Sequence, residues 1–303
     1  EYKSQRSVAE VKLLIASVSG VLGLALFLVT VLALLLAPWL PYVFAPGFSG
    51  DAEKFALTGN LLRITFPYLL FISLTAFAGS ILNAYGRFAI PAFTPVLLNV
   101  CLIFSTLVMT SWFIEPLYAL AWGVFMAGAL QLLFQLPFIA RLGLLVRPTY
   151  QPKQEGVGRI LKLMGPALFG VSVSQINLLL DTLLASFLEP GSVSWLYYSD
   201  RLIEFPLGLF GIGIATVILP ALSKLHSSKK SSDFQHTLDW GVRFVIFLGL
   251  PAMIGLMIIS PLIITVLFDH GAFKEAGIDH VKAVSLGVMA YSVGLVSFML
   301  IKV

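Results

Sequence analysis

The chain alternates long apolar runs with short polar segments, and each run is long enough to cross a bilayer. A membrane span needs about 20 apolar residues in a helix. Eight such runs predict eight transmembrane helices, at about 12–37, 55–84, 89–112, 117–142, 157–188, 193–225, 238–268 and 278–303. The regular alternation of a membrane β-barrel is absent. The pattern therefore predicts an all-α polytopic membrane protein.

Composition agrees with this fold class. Hydrophobic residues make up 58% of the 303 residues and charged residues only 11%, whereas a soluble domain carries roughly 25% charged residues. The single cysteine, Cys101, lies inside an apolar run, where a free thiol is usually a small buried hydrophobe. No disulfide framework is expected.

The basic residues concentrate at alternate ends of the predicted spans, and the opposite loops are mainly acidic. Cytoplasmic loops retain Lys and Arg, so the first span is expected to start inside. The positive net charge then reflects topology, and no nucleic-acid partner is expected. The basic residues at the inner ends include Arg87, Arg141, Arg147, Lys153, Arg159, Lys162 and Lys224, and the acidic residues of the outer loops include Asp51, Glu53, Glu115, Glu189, Asp269 and Asp279.

A short internal repeat relates the end of the first span to the end of the seventh. APWLPYVFAPGF, residues 37–48, resembles SPLIITVLFDHGAF, residues 260–273, with Pro38 matching Pro261 and Gly47 matching Gly271. Six helices separate the two copies. An even number makes the repeats parallel, as in transporters built from two similar halves.

The repeat predicts two lobes of six helices each. Residues 1–147 would hold helices 3–6 of the first lobe, and residues 159–303 would hold helices 1–4 of the second lobe. The Pro- and Gly-marked segment 148–158 would be a cytoplasmic linker. Two helices would then be missing before the first span, and at least two after the last.

The sixth span carries charged residues well inside its apolar run. Arg201 lies roughly 12 Å below the outer end of the span, at 1.5 Å per residue. Ionisable residues at such depth usually face a polar cavity and mark function. A buried Arg–Glu pair that fixes helix packing is the alternative. The residues expected to share one face are Ser194, Tyr198, Arg201, Glu204 and Gly208.

Proline and helix geometry suggest two further features near Arg201. Pro206 lacks an N–H group, so a kink is expected about one turn below Arg201. On the fifth span, Gly170, Ser174, Asn177 and Asp181 recur at helical spacing. Asp181 would lie level with Arg201, so that spans five and six form one polar wall. Ordinary interhelical hydrogen bonding by these Ser and Asn residues is the alternative.

No metal or cofactor is expected, and the sequence offers no enzymatic site. His226, His236, His270 and His280 are expected in loops, in two pairs ten residues apart, which is not metal-ligand spacing on a helix. No phosphate-cradling Gly-Lys-Ser/Thr loop is present. Ser, His and Asp do not assemble into a nucleophile site.

Three segments resemble the MurJ (MviN) lipid II flippase family, within the multidrug/oligosaccharidyl-lipid/polysaccharide exporter superfamily. They are NAYGRFAIPAFTPVLLNV at residues 83–100, MGPALFGVSVSQINLLLDTLLASFL at residues 164–188, and GSVSWLYYSDRLIEFPLG at residues 191–208. The resemblance covers essentially the whole chain. It implies a multi-pass protein of the bacterial inner membrane with two six-helix bundles.

The resemblance also implies a function. Such a protein flips the undecaprenyl-pyrophosphate-linked peptidoglycan precursor, lipid II, from the inner to the outer leaflet by alternating access, without ATP hydrolysis. Arg201 falls on a cavity arginine of the family, and Glu204 and Ser194 fall on cavity-side positions. The other cavity arginines of the family lie on helices that precede this chain, so the chain would supply half a site.

Two alternatives remain at this point. One is an exporter of another substrate of the same superfamily, such as a drug or a polysaccharide lipid, and the other is a membrane scaffold that transports nothing. In the flippase interpretation, the partners are the lipid-linked precursor and membrane lipids, Arg201 contacts the pyrophosphate, and Glu204 with Asp181 holds the guanidinium in place.

Overall fold

The computed structural model describes residues 7–227, 231–275 and 279–302, in which helices are joined by turns and irregular segments and no strand occurs. Short 3₁₀ or π segments connect several of the helices. The α-helices are α1 (Val8–Leu36), α2 (Leu40–Phe44), α3 (Ala52–Thr65), α4 (Pro67–Ala84), α5 (Ala89–Phe104), α6 (Leu117–Arg141), α7 (Glu155–Ser186), α8 (Ser192–Pro206), α9 (Gly213–Ser227), α10 (Ser231–Phe268), α11 (Ala272–Glu275) and α12 (His280–Leu300).

The eight predicted membrane spans are confirmed within the described ranges. Seven helical stretches are long and apolar enough to cross a membrane, and a bent pair of helices supplies the eighth. The second span consists of α3 and α4, which meet at Phe66–Pro67. The bent span runs from Ser192 to Leu225. The all-α polytopic fold class therefore follows from the apolar pattern alone.

The chain forms two compact units, Glu1–Leu183 and Leu184–Val303. In the first unit, α4 and α5 pack against α6. Small residues of α6 make this approach close. A side chain on Gly123 would collide with Ser105, and one on Gly128 would come within 2.7 Å of the Tyr68 ring. Close backbone approach through small residues is how helices gain packing energy in lipid, where the hydrophobic effect between helices is weak.

The segment predicted to be a linker begins by packing along α1. The Thr149 N–H donates to the Ala16 carbonyl at 2.9 Å, and Gly20 leaves room for the Thr149 backbone. The division of contacts between the two units falls within α7, at residues 183 and 184. The lobes expected from the repeat, with their linker at 148–158, stay a prediction.

The second unit is built around α12, which packs against both α10 and α8. Its core is aliphatic and fully buried, with α9 closing one side. This core fixes which face of α8 is covered and which face is left exposed. The residues at its centre are Ile203, Ile218, Val245, Ile264, Val284, Val288 and Leu295.

The kink near Arg201 lies further along the chain than the sequence predicts. A π-helical segment, Leu207–Ile212, follows Pro206 directly, and the 45° bend falls between Gly211 and Thr216. That position is about three turns beyond Arg201, at 3.6 residues per turn. The axis therefore changes direction beyond the π segment, where α geometry resumes, and not at Pro206 itself.

The two copies of the internal repeat differ at their matched prolines. Pro38 follows the end of α1, and Pro41 is the second residue of the short α2. Pro261, in contrast, lies inside the continuous α10. The Ser260 hydroxyl approaches the Met257 carbonyl at 3.5 Å, the carbonyl that loses its donor at Pro261. The first copy has two further prolines, Pro41 and Pro46, and its helix breaks, whereas the helix of the second copy continues.

Gly287 on α12 faces Ser199 on α8, and a side chain there would collide with the Ser199 hydroxyl and come within 3.1 Å of Ser199 Cβ. We expect Gly287→Ala to lower the free energy of unfolding by about 1–3 kcal/mol, the usual cost of overpacking. Chemical unfolding in detergent micelles measures this change. Gly23→Ala on α1, where nothing lies within 4 Å, is the matched control and should not destabilise the protein. Equal effects of the two substitutions would contradict the packing argument.

Candidate functional site

The helix α8 has one buried face and one exposed polar face. Ser199, Ile203 and Pro206 are buried in the second unit. Ser194, Tyr197, Arg201, Glu204 and Gly208 are exposed and recur at intervals of three or four residues. This spacing places them along one side of the helix. The face predicted around Arg201 is therefore present, except that Tyr197 occupies the place expected for Tyr198.

A hydrogen bond between helices fixes this orientation of α8. The Ser199 hydroxyl lies 2.8 Å from the Trp195 carbonyl and 3.1 Å from the Val284 carbonyl on α12. A hydroxyl has one hydrogen, which these two acceptors share. Rotation of α8 about its axis would bury Arg201 and break this contact.

Arg201 is held by two neighbours on its own helix. Its Nη1 donates to Glu204 Oε2 at 2.6 Å, and its guanidinium carbon lies 5.0 Å from the centroid of the Tyr197 ring. The ion pair joins positions i and i+3, and the ring lies at i−4. About half of each charged side chain is exposed, 54% for Arg201 and 52% for Glu204. In the second unit this pair lies on an open surface, so it does not act as a buried packing pair there.

Tyr197 belongs to this exposed face of α8, and the sequence analysis missed it. An aromatic residue four positions before an arginine on a helix is within reach of a cation–π contact. The sequence spacing could therefore have predicted this contact of Tyr197 with Arg201, but the adjacent Tyr198 fits the helical series from Ser194 equally well. Only the packing of α8 shows which of the two tyrosines is exposed.

Tyr198 packs into an aromatic cluster at one end of the second unit. Its ring centroid lies 4.7 Å from that of Phe268 and 5.8 Å from that of Phe273. The side chain is half-buried. Its assignment to substrate binding stays a prediction, and the structure gives it a clear packing role.

The polar stripe predicted on the fifth span lies on α7, in the first unit. Asn177 and Asp181 are both exposed and lie one turn apart on the same face. The side chain of Ser174 lies outside the described residues. The polar wall that would join Asp181 to Arg201 stays a prediction, since the two residues belong to different compact units.

His280 is not the solvated loop histidine that the sequence suggested. It is the first residue of α12 and is half-buried. The indole N–H of Trp195 donates to His280 Nδ1 at 2.8 Å, and the Phe273 ring packs against the imidazole at 4.9 Å. His236 likewise lies in a helix, α10, and the side chain of His226 lies outside the described residues. The position of His280 is set by contacts with other segments of the chain, and the sequence spacing of the histidines does not predict it.

The structure gathers no metal-binding cluster in the ranges it describes. No three His, Cys, Asp or Glu side chains come together there in a way that could hold a metal ion. The exposed face of α8 instead presents one arginine, one carboxylate, one phenol ring and one hydroxyl. This set can bind an anion through charge-assisted hydrogen bonds to the guanidinium.

The whole chain is similar to one protein family. A family model described as "Lipid II flippase MurJ" matches residues 1–303. A probable lipid II flippase MurJ of Vibrio cholerae is 50% identical over 310 residues, covering 100% of this chain and 58% of the relative. A second, of Haemophilus influenzae, is 48% identical and covers 100% and 61%. The lipid II flippase MurJ of Burkholderia cenocepacia is 38% identical and covers 100% and 59%. The chain thus spans about three fifths of the length of these relatives.

The hydrogen bond between Trp195 and His280 should couple α8 to α12 energetically. Trp195→Phe removes the donor and keeps the ring, while His280→Ala removes the acceptor. We expect the double variant to lose less stability than the two single variants together, with a coupling of about 1 kcal/mol. Unfolding in detergent measures all three variants.

The exposed His236 supplies the control for this cycle. Combining His236→Ala with Trp195→Phe should give additive losses, because the two residues share no contact in the described structure. If Trp195→Phe and His280→Ala were additive as well, the hydrogen bond would not link the two helices.

Proposed function

The chain belongs to the lipid II flippase MurJ family, and we propose that it takes part in moving lipid II from the inner to the outer leaflet, with Arg201 contacting the pyrophosphate. It is a multi-pass protein of the bacterial inner membrane. The proposal rests above all on one observation. A half-exposed Arg201–Glu204 ion pair lies inside an apolar span.

The depth of this ion pair supports a water-filled cavity. Arg201 lies nine residues after the start of α8, roughly 14 Å along the helix. At such depth an exposed charge facing lipid is costly, so charged residues face a cavity or the interior of a bundle. The exposed face of α8 should therefore line the path of a polar headgroup.

Pyrophosphate suits the chemistry of this face. A guanidinium presents rigidly spaced N–H donors that match two phosphate oxygens, and an ammonium does not. The Tyr197 ring and the Glu204 carboxylate restrict the guanidinium before the substrate arrives. Less side-chain freedom is then lost on binding.

Glu204 also provides a way to release the substrate. When the pyrophosphate binds, it competes with the Glu204 carboxylate for the guanidinium. When the substrate leaves, the carboxylate replaces it, so the cation is never left unpaired in the membrane. A transport site must release its substrate on the other side of the membrane, and competition between the pyrophosphate and the Glu204 carboxylate allows this release. Contact with the headgroup is also the role proposed for Asn177 and Asp181 of α7.

Replacing Arg201 tests the proposal directly. In the protein as its gene encodes it, reconstituted into vesicles, Arg201→Ala should weaken lipid II binding about tenfold to a hundredfold, the worth of hydrogen bonds to a charged group. Flipping of a fluorescent lipid II should be lost, and Arg201→Lys should restore only part of it. The matched control is Arg243→Ala, because Arg243 also pairs with a carboxylate on its own helix, Asp239 at 2.9 Å.

The control variant should flip lipid II normally. Normal flipping by Arg201→Ala would remove the proposed role, and a membrane scaffold predicts that result. Loss of lipid II flipping with retained transport of a different lipid-linked saccharide would favour another exporter of the superfamily.

Glu204→Gln separates binding from turnover. The substitution removes the competing charge and keeps the shape, so lipid II should bind as tightly as before or more tightly, while flipping slows. Equilibrium binding and the rate of flipping in the same vesicles check this. A parallel loss of binding would show instead that Glu204 holds Arg201 in its competent position.

A further inference from the structure

His280 is a titratable side chain of the second unit that the proposed transport site does not use. It is the first residue of α12 and is half-buried. The indole N–H of Trp195, on α8, donates to its Nδ1 at 2.8 Å, and the two residues lie 85 positions apart in sequence. Imidazole ordinarily changes its charge between about pH 5 and pH 8. A hydrogen bond between two helices therefore ends on a group that can gain a proton.

The partner of His280 fixes the protonation state of the imidazole. An indole nitrogen can only donate, so Nδ1 of His280 accepts and carries no hydrogen. The single ring hydrogen then lies on Nε2, and the imidazole is neutral. An imidazolium has a hydrogen on both ring nitrogens and would place an N–H group against the indole N–H. A half turn of the ring would present a C–H group instead, so protonation removes this hydrogen bond in either orientation.

The remaining contacts of His280 are aromatic and do not require the neutral form. The imidazole centroid lies 4.9 Å from that of the Phe273 ring and 5.7 Å from that of the Trp195 ring. Tyr198 extends the cluster, with its ring 5.8 Å from that of Phe273. An aromatic face accommodates a neutral ring and also attracts a cation. The hydrogen bond to Trp195 is thus the contact that depends on the charge of His280.

No charged side chain of the described residues pairs with the imidazole, which bonds and packs there with Trp195 and Phe273. The Asp279 carboxylate, next in the chain, accepts from the Lys282 N–H at 2.9 Å and caps α12. The side chain of Glu275 lies outside the described residues. The titratable residues on the elements around His280 are Tyr198 of α8, Asp269 and His270 after α10, Lys274 of α11, and Asp279 and Lys282 of α12.

Two hydrogen bonds attach α8 to α12 in the described structure, and one of them can be titrated. The bond from the Ser199 hydroxyl to the Val284 carbonyl involves no group that changes charge. Trp195 lies one turn nearer the start of α8. Loss of the bond to His280 would leave α8 attached at Ser199 and detached at its first turn. The orientation of the face that carries Arg201 would be kept.

The indole of Trp195 also packs over the turn that precedes α8. A Cβ on Gly191 would lie 3.1 Å from the Trp195 ring, and Gly191 has φ 106°. Only glycine adopts such a backbone conformation without strain. Movement of the indole would therefore reach this turn as well as the first turn of the helix.

We propose that His280 is a proton-binding site that releases the outer end of α8 from α12 when the medium outside becomes acidic. The starts of α8 and α12 lie next to Glu189 and Asp279, in the loops that the distribution of charge places outside. The ligand of this site is a proton from that side. The proposal does not depend on which substrate the protein transports.

Hydrogen exchange of the α8 backbone tests the release. The purified protein in detergent micelles is compared at about pH 8 and about pH 5, where a histidine is neutral or charged. After correction for the intrinsic effect of pH on exchange, protection of amides 195–198 should fall about fivefold to tenfold in acid, the worth of one hydrogen bond. With nitrogen-15-labelled tryptophan, the indole N–H signal that disappears in Trp195→Phe should shift with pH along a single titration curve.

Three substitutions assign the effect to this pair. His280→Asn places an amide oxygen near the position of Nδ1, an acceptor that does not take up a proton, so α8 should stay protected at both pH values. Trp195→Phe removes the donor and should leave protection low at both. His236→Ala is the matched control, because His236 is an exposed histidine of α10, and it should titrate like the unchanged protein.

The outcomes separate this site from other effects of acid. Equal pH dependence in the unchanged protein and in His280→Asn would overturn the proposal, as would an indole signal that does not respond to pH. Loss of the effect in His236→Ala would show that a different histidine is responsible. An equal loss of protection throughout α8 would indicate general acid unfolding and would also contradict the proposal. If Trp195→Phe does not fold, His280→Asn still decides, because it keeps the hydrogen bond.

Discussion

The interior of a bilayer provides no hydrogen-bond partners, and the arrangement of this protein follows from that constraint. Helix formation pairs the backbone N–H and C=O groups, and side-chain hydroxyl groups donate hydrogen bonds to carbonyls of their own helix. Thr75 donates to Phe71 and Ser292 to Val288 in this way. Guanidinium and amide groups have more donors or acceptors than a single helix can pair. Arg201 and the glutamine pair of α6 carry such groups, and a side chain or a second helix provides their partners.

Arg201 and the glutamine pair meet this constraint in different ways. On α8 the cation has a carboxylate and an aromatic ring beside it and stays half-exposed, which suits an anion that binds and leaves. In the first unit the amide N–H groups of Gln131 and Gln135 donate to Thr94, and the two amide oxygens are buried. Close packing at Gly287 holds the orientation of α8.

Much of the fold and part of the site could be predicted because they depend on local pattern. Apolar run length predicts the eight spans, and depth with helical spacing identifies Arg201, Glu204 and Ser194 as one face. The resemblance to the flippase family is confirmed over the whole chain. The prediction for His280 was wrong because its partner, Trp195, is 85 residues away in sequence. The kink was misplaced because the helix axis bends beyond the π segment that follows Pro206, and not at the proline.

The sequence by itself determined which segments must be buried in lipid, how often the chain crosses the bilayer, and which charged residues lie deep inside an apolar span. Those properties depend on hydrophobicity summed along single helices. Only the tertiary structure decided which of two adjacent tyrosines supports Arg201, and that Gln131 and Gln135 are buried together against Thr94. Those properties depend on the rotation of each helix about its axis, and contacts between helices such as Ser199 with Val284 set that rotation.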